Sequence, residues 1–150
     1  MDKEILKKIY KFCAYQERYS TEVRRKLQAL GTLSDEIPLI LQHLEEEGFL
    51  NDKRYAHSFV RGKFSQKKWG KAKIRQGLRE KGIEEALIHR ALKEEIEEED
   101  YLKTLESLVE KKKKDIPDLS IRKEKAKMIR FLQQKGYEAH LIYQVLQENT

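Results

Sequence analysis

One pattern constrains this chain more than any other: a triplet of positions that recurs three times. Val23, Leu27 and Gly31 return as Ile74, Leu78 and Gly82 after 51 residues, and as Met128, Leu132 and Gly136 after a further 54. Two apolar residues four apart share one face of a helix, and a glycine four residues later readily takes the left-handed conformation that stops it. Each triplet is flanked by two more amphipathic stretches. Upstream lie Ile5, Leu6, Ile9, Tyr10, Phe12 and Cys13, then Tyr55, Ala56, Phe59 and Val60, then Leu102, Leu105, Leu108 and Val109. Downstream lie Ile37, Leu41 and Leu44, then Leu87, Ile88 and Leu92, then Leu141, Ile142, Val145 and Leu146. All keep the three- and four-residue spacing of a helix with one buried stripe.

The spacing therefore predicts an all-α protein: three tandem three-helix repeats in an elongated, curved array. The repeats span 1–50, 51–100 and 101–150. The third carries a longer joint over 111–120, where Lys111 to Lys114, Asp115 and Pro117 read as a flexible connection. Ser20 reads as the N-cap of the second helix, Ser34 as that of the third, and Asn51-Asp52 as a capping pair for the fourth. Hydrophobic residues make up 39% of the chain and charged ones another 39%, a balance that suits several thin cores better than one thick one.

Charge divides the chain sharply. From Lys53 to Gly82 there are eleven Lys or Arg and one acid, Glu80, a local +10 in a chain whose total is +6. A block this basic is either a solvated helical face or a contact surface for something anionic. Solvated helices ordinarily mix signs, and this one does not. Lys68, Lys71, Arg75 and Arg79 form one helical edge, Arg54, His57 and Arg61 another, and packing the two helices side by side would merge them. Lys63, Lys67 and Lys73 lie near, and Trp69 in their midst is placed to stack on a base or a partner side chain. The segment 84–100 is net −6, with acids that point in different directions on a helix and match no calcium-loop pattern.

Catalytic signatures are absent. There is no phosphate loop, no dinucleotide fingerprint, no paired-histidine zinc motif and no nucleophile elbow, so no enzyme, metal or cofactor is expected. Cys13 stands alone on an apolar helix face and reads as a small core hydrophobe. The charged N-terminus is not a signal peptide and no apolar run is long enough to span a bilayer, so the expectation is a monomeric cytoplasmic protein with no membrane partner.

The segment Gly48-Phe49-Leu50-Asn51-Asp52, followed by Arg54-Tyr55-Ala56, Phe59-Val60-Arg61, Gly70, Ile74-Arg75, Leu78 and Lys81-Gly82, resembles the RecX family of bacterial recombination regulators. That family is built from tandem three-helix repeats, and the resemblance covers nearly the whole chain. It implies binding to the filament of a RecA-type recombinase on DNA, and control of it, usually inhibition of strand exchange and ATPase. Candidate partner- or DNA-binding residues are Arg54, Arg61, Lys63, Lys67, Lys68, Trp69, Lys71, Lys73, Arg75 and Arg79, with DNA contact through phosphates, weak and salt-dependent. The competing readings are a stand-alone helix-turn-helix-like DNA-binding protein and a purely protein-binding helical adaptor.

Overall fold

The computed structural model describes residues 1–149, and among them there are nine helices and no strand. They are α1 (Lys3–Tyr15), α2 (Ser20–Ala29), α3 (Ile37–Glu46), α4 (Asp52–Ser65), α5 (Lys71–Glu80), α6 (Glu85–Glu95), α7 (Glu98–Lys112), α8 (Arg122–Gln134) and α9 (Ala139–Asn149). Three consecutive trios pack internally, so the architecture is all-α, in tandem three-helix repeats. The boundary expected after Asp100 falls within the first turn of α7. The chain exposes 9546 Å², against about 8,000 Å² for a compact monomer of this mass. That excess is what an elongated array produces.

Each trio buries the apolar face its spacing implies. Val23, Leu27, Ile74, Leu78, Met128 and Leu132 are all fully buried, and each middle helix is closed by its glycine at positive φ, +83° at Gly31, +78° at Gly82 and +102° at Gly136. Burial of one such side chain contributes about 1.5 to 3 kcal/mol. The apolar residues sort into two cores. One belongs to the first repeat, around Ile9, Leu27 and Leu44. The other runs unbroken through the second and third repeats, from Val60 and Ile74 through Tyr101 to Met128 and Ile142.

The junctions follow one rule. The first backbone N–H of the second helix in a repeat is captured by a side chain from the first helix of the next repeat. Ser20 N–H donates to Asp52 Oδ1 at 2.8 Å, and Lys71 N–H donates to the Tyr101 hydroxyl at 2.9 Å. Ser20 is thus the first helical residue rather than the N-cap its sequence suggests, because the capping oxygen arrives from the following module. Ser34 does not cap α3 either; that helix starts at Ile37 after Glu36, with Pro38 in its opening turn and no side-chain cap. Asn51 does cap α4, its Oδ1 accepting from Arg54 N–H at 3.0 Å.

The second and third repeats are also joined through backbone. Gly70 N–H donates to Lys135 O at 2.7 Å, Ala72 N–H to Gly136 O at 3.0 Å, and the Tyr137 hydroxyl to Lys68 O at 2.8 Å. The Tyr101 and Tyr137 rings stack at 5.1 Å beside them.

Two expectations for the third repeat change. The inward stripe of α7 is Tyr101, Leu105 and Val109, with Leu102 only partly covered. Residues 113–121 are no free connection: Ile116 and Leu119 are 5% and 6% exposed, anchored in the core. Asp118 Oδ1 accepts from Ser120 N–H at 3.0 Å and so tightens the turn. Two apolar residues three apart were hidden in a polar, proline-bearing run.

Candidate functional site

The ten candidate residues divide into two groups by what the chain's own acids do to them. Arg54 Nε lies 2.8 Å from Glu17 Oε2 and its Nη1 donates to Gly48 O, so it ties the first repeat to the second. Arg61 Nη1 meets Glu95 Oε2 at 2.9 Å, and His57 Nδ1 is 2.8 Å from the same oxygen. Lys71 Nζ meets Glu98 Oε1 at 3.0 Å and lies over the Tyr101 ring. Arg79 grips both oxygens of Glu85. The hydrogen bond from His57, with the Arg61 charge, holds the Glu95 carboxyl below its ordinary range, and the Arg79 bond does the same for Glu85. The two helical edges therefore do not merge into one basic patch. Acids at the two ends of α6 intervene, one facing α4 and one facing α5, and this is where much of the acidic segment is spent.

Lys63, Lys67, Lys68, Lys73 and Arg75 have no carboxylate within ion-pair reach among the described residues. All but Arg75 cluster at the α4–α5 connection and the start of α5. Trp69 does not project as a free stacking platform. It is half-buried, edge-on to Phe59 at 6.3 Å, with the Lys63 and Lys73 ammonium groups 4.8 and 4.5 Å from its ring. Its role is to seat two cations by cation–π attraction. Behind it runs an aromatic series: Phe59 stacks on Tyr55 at 6.1 Å, and Tyr55 meets Tyr19 of the first repeat at 5.1 Å. Gly77 of α5 leaves the room, since a Cβ there would come within 2.9 Å of the Phe59 ring.

Two cations escaped the sequence-based set. Lys81 lies 5.2 Å over Tyr19 and 5.6 Å over Phe59, and Lys135 of the third repeat donates to Lys67 O at 3.5 Å. Lys81 belonged to the basic run and was recoverable from it. Nothing local pairs Lys135 with Lys67 across 68 residues. Lys63, Lys73 and Lys81 thus hold their ammonium groups over aromatic rings, with Lys67 and Lys135 adjoining them, a surface suited to phosphate oxygens and poor at reading base edges. Among the described residues no group of three His, Cys, Asp or Glu is placed to hold a metal ion, and no helix is long and apolar enough to cross a membrane.

Comparison with known proteins gives a consistent result. The family model described as RecX, second three-helix domain, matches residues 51–92, and that described as RecX, third three-helix domain, matches residues 98–146. A protein named regulatory protein RecX from Vibrio parahaemolyticus is 36% identical over 116 residues, covering 77% of this chain and 72% of that one. Its namesake from Bacillus mycoides is 31% identical over 91% of this chain, which spans only 50% of the relative's length. The crystal structure of RecX from Lactobacillus salivarius superposes with a TM-score of 0.84 at 28% identity, covering 97% of this chain and 96% of that one.

Proposed function

Because the chain belongs to the RecX family, we propose that it is a non-catalytic regulator that binds the filament formed by a RecA-type recombinase on DNA and inhibits strand exchange and ATP hydrolysis. The observation that carries this reading is the carboxylate-free row Lys63, Lys67, Lys73 and Lys81. In a chain rich in internal ion pairs, four ammonium groups left on one face of the middle repeat are available to DNA phosphates. The array supplies reach. Repeats on either side of the basic one meet neighbouring filament subunits, and contacts that are weak singly reinforce one another through effective concentration.

The test is a strand-exchange or recombinase ATPase assay with the wild-type chain and with Lys63→Ala/Lys67→Ala/Lys73→Ala. The wild type inhibits at substoichiometric amounts. The triple variant keeps its helicity, loses inhibition, and shows a slope of log affinity against log salt on duplex DNA smaller by about 0.9 for each phosphate contact removed. Equal inhibition by the two proteins would assign the row to solubility. Tighter binding to one defined duplex than to the filament would favour a helix-turn-helix-like DNA-binding protein instead.

A further inference from the structure

Among the described residues Lys68 is the one non-glycine residue in the left-handed region, at φ +59°. A side chain is disfavoured there, and glycine would relieve the strain. The conformation is imposed from both sides. Lys68 N–H donates to Phe64 O at 3.1 Å, and the Tyr137 hydroxyl of the third repeat holds Lys68 O. Its ammonium, donating to Ser65 O at 2.8 Å, is set at the lip of a cleft of about 350 Å³ between the end of α4 and the flank of α7. The far wall carries Lys103, Ser107 and Lys111, spaced so that they lie along one face of α7 over about 12 Å. Phe64 and Leu108, both half-buried, supply the apolar part of the lining, with the Phe64 ring braced on Tyr101 at 6.0 Å. Lys111 has no carboxylate within reach. Lys103 pairs with Glu99 at 3.3 Å, but both side chains are more than two-thirds exposed, at 68% and 81%, so that pair competes weakly with a ligand. Asp100 is the one acid in the lining.

The geometry points to this cleft as a subsite for an unstacked, single-stranded nucleic acid segment, with a base against Phe64 and Leu108 and its flanking phosphates on Lys68, Lys103 and Lys111. An aromatic floor under a cationic rim is the combination that single strands take, since every base has a flat apolar face and every linkage a charge. A duplex keeps its bases stacked inside and cannot use the floor. The inference rests on the DNA contact proposed above and extends it. A strand leaving the cleft past Lys68 meets Lys67 and Lys63, so the second and third repeats share one track over a core continuous between them.

The test measures binding of the full chain to a labelled thymidine oligonucleotide and to a duplex of equal length, by fluorescence anisotropy across a salt series. Lys103→Ala/Lys111→Ala lowers the single-strand salt slope by about 1.4 and leaves the duplex slope unchanged. Lys68→Gly weakens single-strand binding several-fold while its melting temperature holds or rises, a pairing of effects that a structural role for Lys68 would not give. Single-strand affinity and slope equal to wild type in both variants would overturn the proposal. So would variants that bind DNA normally but lose recombinase binding, since the cleft would then hold an acidic protein segment. The Lys63→Ala/Lys67→Ala/Lys73→Ala variant separates the two readings: it leaves the cleft intact, so failure of the row and failure of the cleft are seen in different proteins.

Discussion

The same substitution, glycine to alanine, is expected to act with opposite sign at two positions eight residues apart. Gly70 precedes α5 at φ −78°, a conformation alanine adopts freely, so no backbone strain is involved. The obstacle is space. A Cβ at Gly70 would lie 2.3 Å from the carbonyl carbon and oxygen of Gly136 and 2.5 Å from Tyr137 N. All three are backbone atoms, which cannot swing aside as a side chain can. Relief requires the α4–α5 connection to part from the α8–α9 turn, breaking Gly70 N–H to Lys135 O and Ala72 N–H to Gly136 O, and drawing the Tyr137 hydroxyl off Lys68 O. At about 1 kcal/mol for each hydrogen bond the loss is about 3 kcal/mol, a fall in melting temperature of roughly 6 to 12 °C for a domain of this size. At Gly62, inside α4, a Cβ would have nothing within 4 Å. Alanine there restricts only the unfolded chain and raises stability by about 0.5 to 1 kcal/mol, or roughly 1 to 4 °C. Thermal unfolding followed by circular dichroism reads both. A Gly70→Ala protein as stable as wild type would refute the account of the junction, and a Gly62→Ala protein destabilised by several degrees would refute the open space beside α4.

Asp52→Ala removes the acceptor of Ser20 N–H and should cost about 1 kcal/mol, a capping-sized loss. Amide exchange should quicken at the start of α2 and stay unchanged at the start of α5; equal protection at Ser20 in the two proteins would count against the cross-repeat cap. Burial, then the nearness of Tyr19 and Glu22, pushes the Tyr55 hydroxyl up to about 12, and burial likewise raises Tyr101 and Tyr137 above the usual value near 10. Raised values mean that the fold favours the neutral phenols, so their contribution is complete below pH of about 10 and is lost as pH climbs towards about 12 and beyond. In a tyrosinate absorbance titration the share due to Tyr55, Tyr101 and Tyr137 should lag until the helices melt, and full ionisation of all seven tyrosines near pH 10 with helicity intact would sink this reading.

What the sequence made legible was whatever depends on period. Three helices per unit, the inward Val23/Leu27, Ile74/Leu78 and Met128/Leu132 pairs, and the glycine stops are local facts about spacing. What it concealed was whatever crosses from one repeat to the next. Ser20 looks like a cap because serine before an acidic first turn usually is one; its true partner, Asp52, lies 32 residues on. Tyr101 does not stand out in the sequence, because Leu102 beside it fits the stripe equally well on hydrophobicity alone. Only in three dimensions does a phenol pay off there, accepting from Lys71 N–H while donating to Glu138. Ile116 and Leu119 were masked by lysine and proline neighbours that normally mark open chain.

Charge shows the same division with a functional consequence. Counting signs along 53–82 was reliable, but counting cannot say which cations keep their charge unopposed once α6 and the start of α7 fold against them. Glu85, Glu95 and Glu98 remove Arg79, Arg61 and Lys71, and Glu17 removes Arg54. None of these carboxylates reaches the α4–α5 connection, so Lys63, Lys67, Lys68 and Lys73 stand unopposed at the end of the second repeat that abuts the third, while Lys81 lies over Tyr19 of the first. A uniformly basic repeat would grip any polyanion in many orientations. Continued by Lys135 and Lys111 of the third repeat and by Lys81 towards Tyr19 of the first, the unopposed charge follows the array instead, and under the proposed function a polyanion would lie along the repeats and not across them.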